Sequence, residues 1–231
     1  TDALALKAIE LVFQYLPDSW RSGGRAAREK LHNAAAIAGM AFTNAFLGIN
    51  HSLAHKVGGE FGIPHGRANA ILLPYVIAYN AGLPTKFVSY PKYEHHLAPE
   101  KYRRIAAHLG LPAAFADEGV HSLIEAVHDL NRSLGIPATF AELGVDRDLF
   151  LSKLPELAEK AFEDQCTTTN PRLPLIRELE EILRQSYDGL KPFQEERANA
   201  EREDRFHLPQ LDQQLPQFPA AGPVEGSTLF Q

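Results

Sequence analysis

Cysteine is almost missing from this chain: Cys166 is the only one. A lone thiol cannot close an internal disulfide, so disulfide-stapled architectures are excluded and a reducing, cytoplasmic setting is expected. No apolar run reaches the roughly 20 residues of a membrane-spanning helix. The longest, Ala34 to Ile49, is interrupted by Thr43 and Asn44 and is rich in alanine and glycine rather than leucine. Thr1 to Leu16 has neither the basic stretch nor the cleavage site of a signal peptide. Basic residues number 23 against 29 acidic ones, a net charge of −6, and they form no block. An electrostatic footprint for nucleic acid is therefore not expected. Also absent are a G-x-G-x-x-G after a strand, a P-loop, a G-x-S-x-G and a paired-cysteine zinc pattern. Strand signals are confined to Phe87–Tyr90, too short to argue for a sheet.

What is present is helical periodicity. With 45% hydrophobic residues in 231, the chain can bury one sizeable core and still carry a tail. Leu6, Ile9, Phe13 and Leu16 form a stripe that Pro17 is expected to end. From Ala26 a long helical run continues towards Val57, its middle apolar on every side, as for a helix inside a bundle. Gly58, Gly59 and Gly62 punctuate the chain and Pro64 stops it. A second apolar helix is expected from about Gly66 to Tyr79, kinked or broken at Pro74. Further helices are predicted from Pro99 to Leu109, through Leu123, Val127 and Leu130, through Phe150, Leu154 and Leu157, and through Ile176, Leu179 and Leu183. Asn170 is a candidate cap and Pro171 a first-turn residue for the last of them. The fold class is all-α, a helical bundle over residues 1–188. Residues 189–231 carry a dense charge run and then proline and glutamine, the composition of a mobile tail.

Ten histidines are the compositional oddity. His51 and His55 are four apart, so on a helix their imidazoles share a face. His65 follows beyond the glycine turn, where a reversal of the chain would return it beside that helix. Three imidazoles meeting across a turn suit a borderline ion such as Fe(II) or Zn(II). The same pair also arises by chance in a histidine-rich chain, and it lacks the glutamate of the metalloprotease motif. His95 and His96 are expected in an exposed loop; His108, His121 and His128 on helix surfaces; His32 at the rim of the core. Cys166 reads as a buried or boundary thiol rather than a nucleophile.

The segment Gly48-Ile49-Asn50-His51-Ser52-Leu53-Ala54-His55, followed by Phe61-Gly62-Ile63-Pro64-His65-Gly66 and Ala68-Asn69-Ala70, resembles the iron-containing alcohol dehydrogenases. The likeness is strongest to the alcohol dehydrogenase part of the bifunctional aldehyde–alcohol dehydrogenases. Tyr79-Asn80-Ala81, Leu134-Gly135-Ile136-Pro137, Phe162-Glu163-Asp164-Gln165-Cys166-Thr167 and Asn170-Pro171-Arg172 agree in order and spacing. It covers roughly residues 1–188.

The resemblance implies the C-terminal helical half of a dehydroquinate synthase-like fold, whose other half binds the nucleotide. It implies Fe(II), with Zn possible, and NAD(H), used to interconvert a primary alcohol and its aldehyde, the metal polarising the alcohol oxygen for hydride transfer. Carried onto this sequence, His51 and His65 are implied as metal ligands and His55 as a catalytic histidine facing substrate and nicotinamide. Spacing alone would have paired His51 with His55. The family's aspartate and first histidine ligand, and its pyrophosphate loop, have no counterpart in these residues. The chain alone is therefore expected to bind metal poorly and to be inactive. A homo-oligomer or filament is implied for the full-length protein. The alternative is a non-catalytic helical assembly module, or one half of a split enzyme.

Overall fold

The computed structural model describes residues 1–84 and 96–189. The Phe87–Tyr90 segment, His95 and all of the expected tail beyond Gly189 lie outside the described residues. Among those described, every regular element is helical. The α-helices are α1 (Asp2–Ser22), α2 (Arg25–Ala45), α3 (Ile49–Phe61), α4 (His65–Ala81), α5 (Ala98–His108), α6 (Ala116–Ser133), α7 (Arg147–Phe162) and α8 (Ile176–Asp188). A short 3-10 helix, Gln165–Thr169, follows α7.

The bundle is organised around α4. Its residues are apolar on both sides, and Ala68, Ile71, Leu72 and Tyr75 are essentially inaccessible. One side packs with Leu53 of α3, Phe150 and Leu154 of α7, and Leu179 and Leu183 of α8. Phe150 stacks on Phe61 at 5.3 Å and meets Tyr187 at 4.8 Å and Phe140 at 5.5 Å between centroids. The opposite side, through Ile77, meets Ala106 of α5 and Val120, Leu123, Ile124 and Val127 of α6. Pro74 lies buried within α4, which continues through it. A helix flanked by core on two sides needs no polar stripe.

Three expectations are corrected. First, Pro17 does not end α1. The helix runs on to Ser22 and stops at Gly23, because a single proline removes one N–H while the flanking turns remain packed along α2. Second, the long run from Ala26 to Val57 is two helices, not one. It breaks at Phe46–Gly48, where Phe46 adopts φ 60°. Third, the apolar middle of that run is not buried: only Ala34 and Ala41 of α2 are, while Met40 is 58% and Phe42 48% exposed. α2 packs on α1 along one side alone, and the buried all-apolar helix is α4.

Asn170 also does something other than cap the last helix. Its side-chain oxygen accepts the N–H of Ile49, the first residue of α3, at 3.2 Å. It therefore caps α3 from more than a hundred residues away. Gly48 makes the approach possible, because a Cβ there would lie 2.8 Å from that oxygen. The Asn170 amide donates in turn to Asn80 Oδ1 of α4 at 2.7 Å and to the Arg172 carbonyl at 2.6 Å. Arg172 donates to the Tyr79 carbonyl near the end of α4 at 3.0 Å and pairs with Glu178 of α8 at 2.9 Å. The Glu178 carboxylate accepts the Leu175 N–H at 2.7 Å and so caps α8.

Asn170→Ala should therefore cost about 2–4 kcal/mol, a lost cap plus buried partners left unsatisfied. Phe42→Ala, on the exposed side of α2, should cost less than about 1 kcal/mol. Urea unfolding of the two variants followed by circular dichroism checks both values.

Candidate functional site

Three histidines meet at the junction of α3 and α4. His51 and His55 stand one turn apart on α3. Gly62 ends that helix in the left-handed conformation, φ 64°, which a side-chain-bearing residue adopts at a cost. Its N–H and that of Ile63 both return to the Gly58 carbonyl. Ile63 and Pro64 then lead directly into α4, whose first residue is His65. Ring centroids lie 5.4 Å apart for His51–His65, 5.4 Å for His55–His65 and 6.1 Å for His51–His55.

Two imidazoles on one tetrahedral ion, with metal–nitrogen distances of about 2.0–2.1 Å, bring their centroids to roughly 5 Å. The inclined His51–His65 pair, at 48°, has that spacing. His55 lies at the same distance from His65 with the two rings inclined by only 24°. Burial, reinforced by His65 and His55, pushes the half-buried His51 imidazole below its ordinary value, Asp164 opposing. His51 is thus the neutral form that a metal requires. His65 is steadied by Asn69, whose amide nitrogen lies 3.1 Å from His65 Nε2 and donates to the His65 carbonyl at 3.0 Å. Asn50 donates to Asn69 Oδ1 at 2.8 Å, and its own Oδ1 is buried without a partner. The donor chemistry and spacing of His51 and His65 fit a divalent borderline ion.

A second cluster abuts the first. Among the described residues, a group whose ligand-type atoms all lie within 4.8 Å of one another is His55, Asp164 and Cys166. Asp164 Oδ2 is 2.8 Å from Lys56 Nζ and 3.3 Å from His55 Nδ1. Its Oδ1 accepts the Cys166 N–H at 2.9 Å. Burial alone would raise this carboxyl, but Lys56, the Cys166 N–H and His55 outweigh it and hold the group well below the usual carboxylate range. The Cys166 thiol is pushed up to about 11 by burial, with Asp164 adding to the effect. It is protonated at neutral pH, in keeping with a buried thiol. The sequence reading assigned neither Asp164 nor Cys166 to the site, although both lie in a stretch that carried the family likeness.

The other histidines are scattered. His32 and His121 are exposed, and His108 meets Glu10 at 3.1 Å. His128 is half-buried, edge-on to Tyr75 at 6.4 Å, rather than on the surface. His96 is also half-buried, with Nε2 enclosed.

Three imidazoles thus group at one helix junction, with an ion-paired carboxylate beside His55. The family model described as Fe-containing alcohol dehydrogenase family, C-terminal, matches residues 1–187. The aldehyde-alcohol dehydrogenase of Streptococcus pneumoniae serotype 2 is 51% identical over 191 residues, covering 83% of this chain and 22% of that protein. The bifunctional aldehyde-alcohol dehydrogenase of Escherichia coli K12 is 45% identical, covering 82% and 22%. The solved iron-containing alcohol dehydrogenase of Thermococcus thioreducens superposes with a TM-score of 0.69 at 38% identity, covering 82% of this chain and 44% of that one. The chain belongs to the iron-containing alcohol dehydrogenase family. It spans about a fifth of the length of these curated relatives and under half of the solved chain.

Asp164 ties stability to acidity. Its folded-state value lies below the unfolded one, so its contribution is complete above about pH 4 and fades as acid protonates the folded carboxylate. Asp164→Asn should lower stability at pH 7 by about 1–3 kcal/mol. The gap to the parent should narrow as the pH falls below about 4, measured by thermal unfolding across pH.

Proposed function

We propose that this chain supplies the helical, metal-bearing half of an iron-dependent alcohol dehydrogenase that interconverts a primary alcohol and its aldehyde with NAD(H). The observation that carries the reading is the 5.4 Å inclined pairing of His51 and His65 with His55 beside it. Family membership supports the reaction class, and the fit of the two imidazoles supports Fe(II), with Zn(II) as the substitute.

In this reading His51 and His65 hold the ion. When bound, it supplies Lewis acidity towards an alcohol or aldehyde oxygen. The remaining work belongs to side chains. His51, half-buried and held below its ordinary pKa by burial, offers an uncharged imidazole. Asn69, itself tied to Asn50, donates to the His65 carbonyl and to Nε2 of its ring, a bond that an ion on that nitrogen would replace. His55 is the most open of the Asp164–His55–Lys56 group, with 38% of its side chain exposed, and is placed to accept or return the hydroxyl proton. NAD(H) follows from family membership, and no residue of this chain is assigned to it.

The exposed side of α2, with Met40 and Phe42, and Phe46 just beyond it, favours a chain that works against further protein rather than alone. It is compatible with a half-enzyme and with the assembly-module alternative, and metal binding separates the two. No helix among the described residues is long and apolar enough to cross a membrane. An oligomer or filament of the full-length protein remains part of the proposal.

Isothermal titration of the chain with Co(II) or Zn(II) should show weak binding that is lost in mild acid, because the ligands must be uncharged. His51→Ala or His65→Ala should weaken it at least about tenfold, whereas His55→Ala and Cys166→Ser should leave it unchanged. An ethanol/NAD assay of the isolated chain should show no turnover. Binding that depends on His55 and Cys166 but not on His51 would overturn the ligand assignment.

A further inference from the structure

We propose that Asp164 is a positioning residue: its carboxylate holds His55 as the Nδ1–H tautomer and leaves the Nε2 lone pair as the acceptor of the hydroxyl proton. The functional consequence rests on the reading of His55 given above, but the tautomer follows from the contacts alone. An ionised carboxylate only accepts hydrogen bonds, so a ring nitrogen 3.3 Å from Asp164 Oδ2 is stabilised there as a donor. The opposite tautomer would set the Nδ1 lone pair against a negative oxygen. In neutral imidazole the second nitrogen then carries the lone pair.

The carboxylate cannot easily turn away. Oδ1 is fixed by the Cys166 N–H at 2.9 Å and Oδ2 by Lys56 Nζ at 2.8 Å. The Asp164 carbonyl accepts the Thr167 N–H at 2.9 Å, and the Thr167 hydroxyl donates to the Ala161 carbonyl at 2.6 Å while accepting from Ser52 Oγ at 2.8 Å. The same 3-10 turn that docks on α3 therefore aims the carboxylate at His55. A proton taken from an alcohol hydroxyl at Nε2 gives an imidazolium. Release of that proton from Nε2 to water restores the starting tautomer, so the Nδ1 proton stays on His55, donated to Asp164 throughout. Lys56 compensates the buried carboxylate throughout, leaving Asp164 ionised as an acceptor.

Long-range nitrogen–proton NMR on the chain labelled with 15N-histidine, recorded above the imidazole titration range, reads the tautomer directly. His55 should be predominantly Nδ1–H, whereas an unconstrained imidazole in water favours Nε2–H. In Asp164→Ala, which removes the acceptor facing Nδ1, the preference should shift to Nε2–H. A wild-type His55 in the Nε2–H form, or a folded Asp164→Ala with an unchanged tautomer, overturns the proposal. If Asp164→Ala loses its helical circular dichroism, the wild-type reading decides. Metal titration of the same samples tests the His51–His65 assignment separately, so failure of either idea is distinguishable from failure of the other.

Discussion

The stretch from Asp164 to Asn170 runs antiparallel along α3 and meets it every three residues. Asn170 accepts the N–H of Ile49, Thr167 bonds Ser52, and Asp164 engages His55 and Lys56. The Thr169 hydroxyl donates to the Leu47 carbonyl just before α3 begins. A 3-10 helix repeats every three residues and the matching edge of α3 also recurs at three, so the two register as a polar seam. Everything at the site depends on this seam. It sets the start of α3, and through Asn80 and Arg172 it ties the end of α4 and the start of α8 to the same point.

The seam and the core divide the labour. Leu53, Val57 and the α4 side chains fix how α3 and α4 lie against each other, and the Gly62 turn sets how far apart their histidines stand. The polar contacts fix what apolar packing leaves free, the rotation and rise of α3. An imidazole pair at 5.4 Å is sensitive to both, since a shift of one turn would separate the rings by more than 5 Å.

Local features were readable in the sequence. The His51–His55 spacing, the glycine turn ahead of His65 and the all-helical character follow from contacts within about fifteen residues. Periodicity also identified α5 to α8, with Pro99 in the first turn of α5. It was misleading for the run from Ala26 to Val57, because an all-apolar composition marks a helix covered on every side without saying whether the covering lies within the same chain. The partners of Asp164, Thr167 and Asn170 were not readable. They are 108 to 121 residues away, and no periodicity encodes a meeting at that distance. Resemblance to the family located those motifs, yet their roles emerged only when the seam was visible.

The central claim is that His51 and His65, and not the neighbouring His55–Asp164–Cys166 cluster, hold the ion. X-ray absorption at the zinc edge of the Zn(II)-loaded chain tests this most directly. The account predicts a nitrogen and oxygen shell at about 2.0–2.1 Å with imidazole scattering and no sulfur. A sulfur scatterer at about 2.3 Å would place the ion on Cys166 and contradict it.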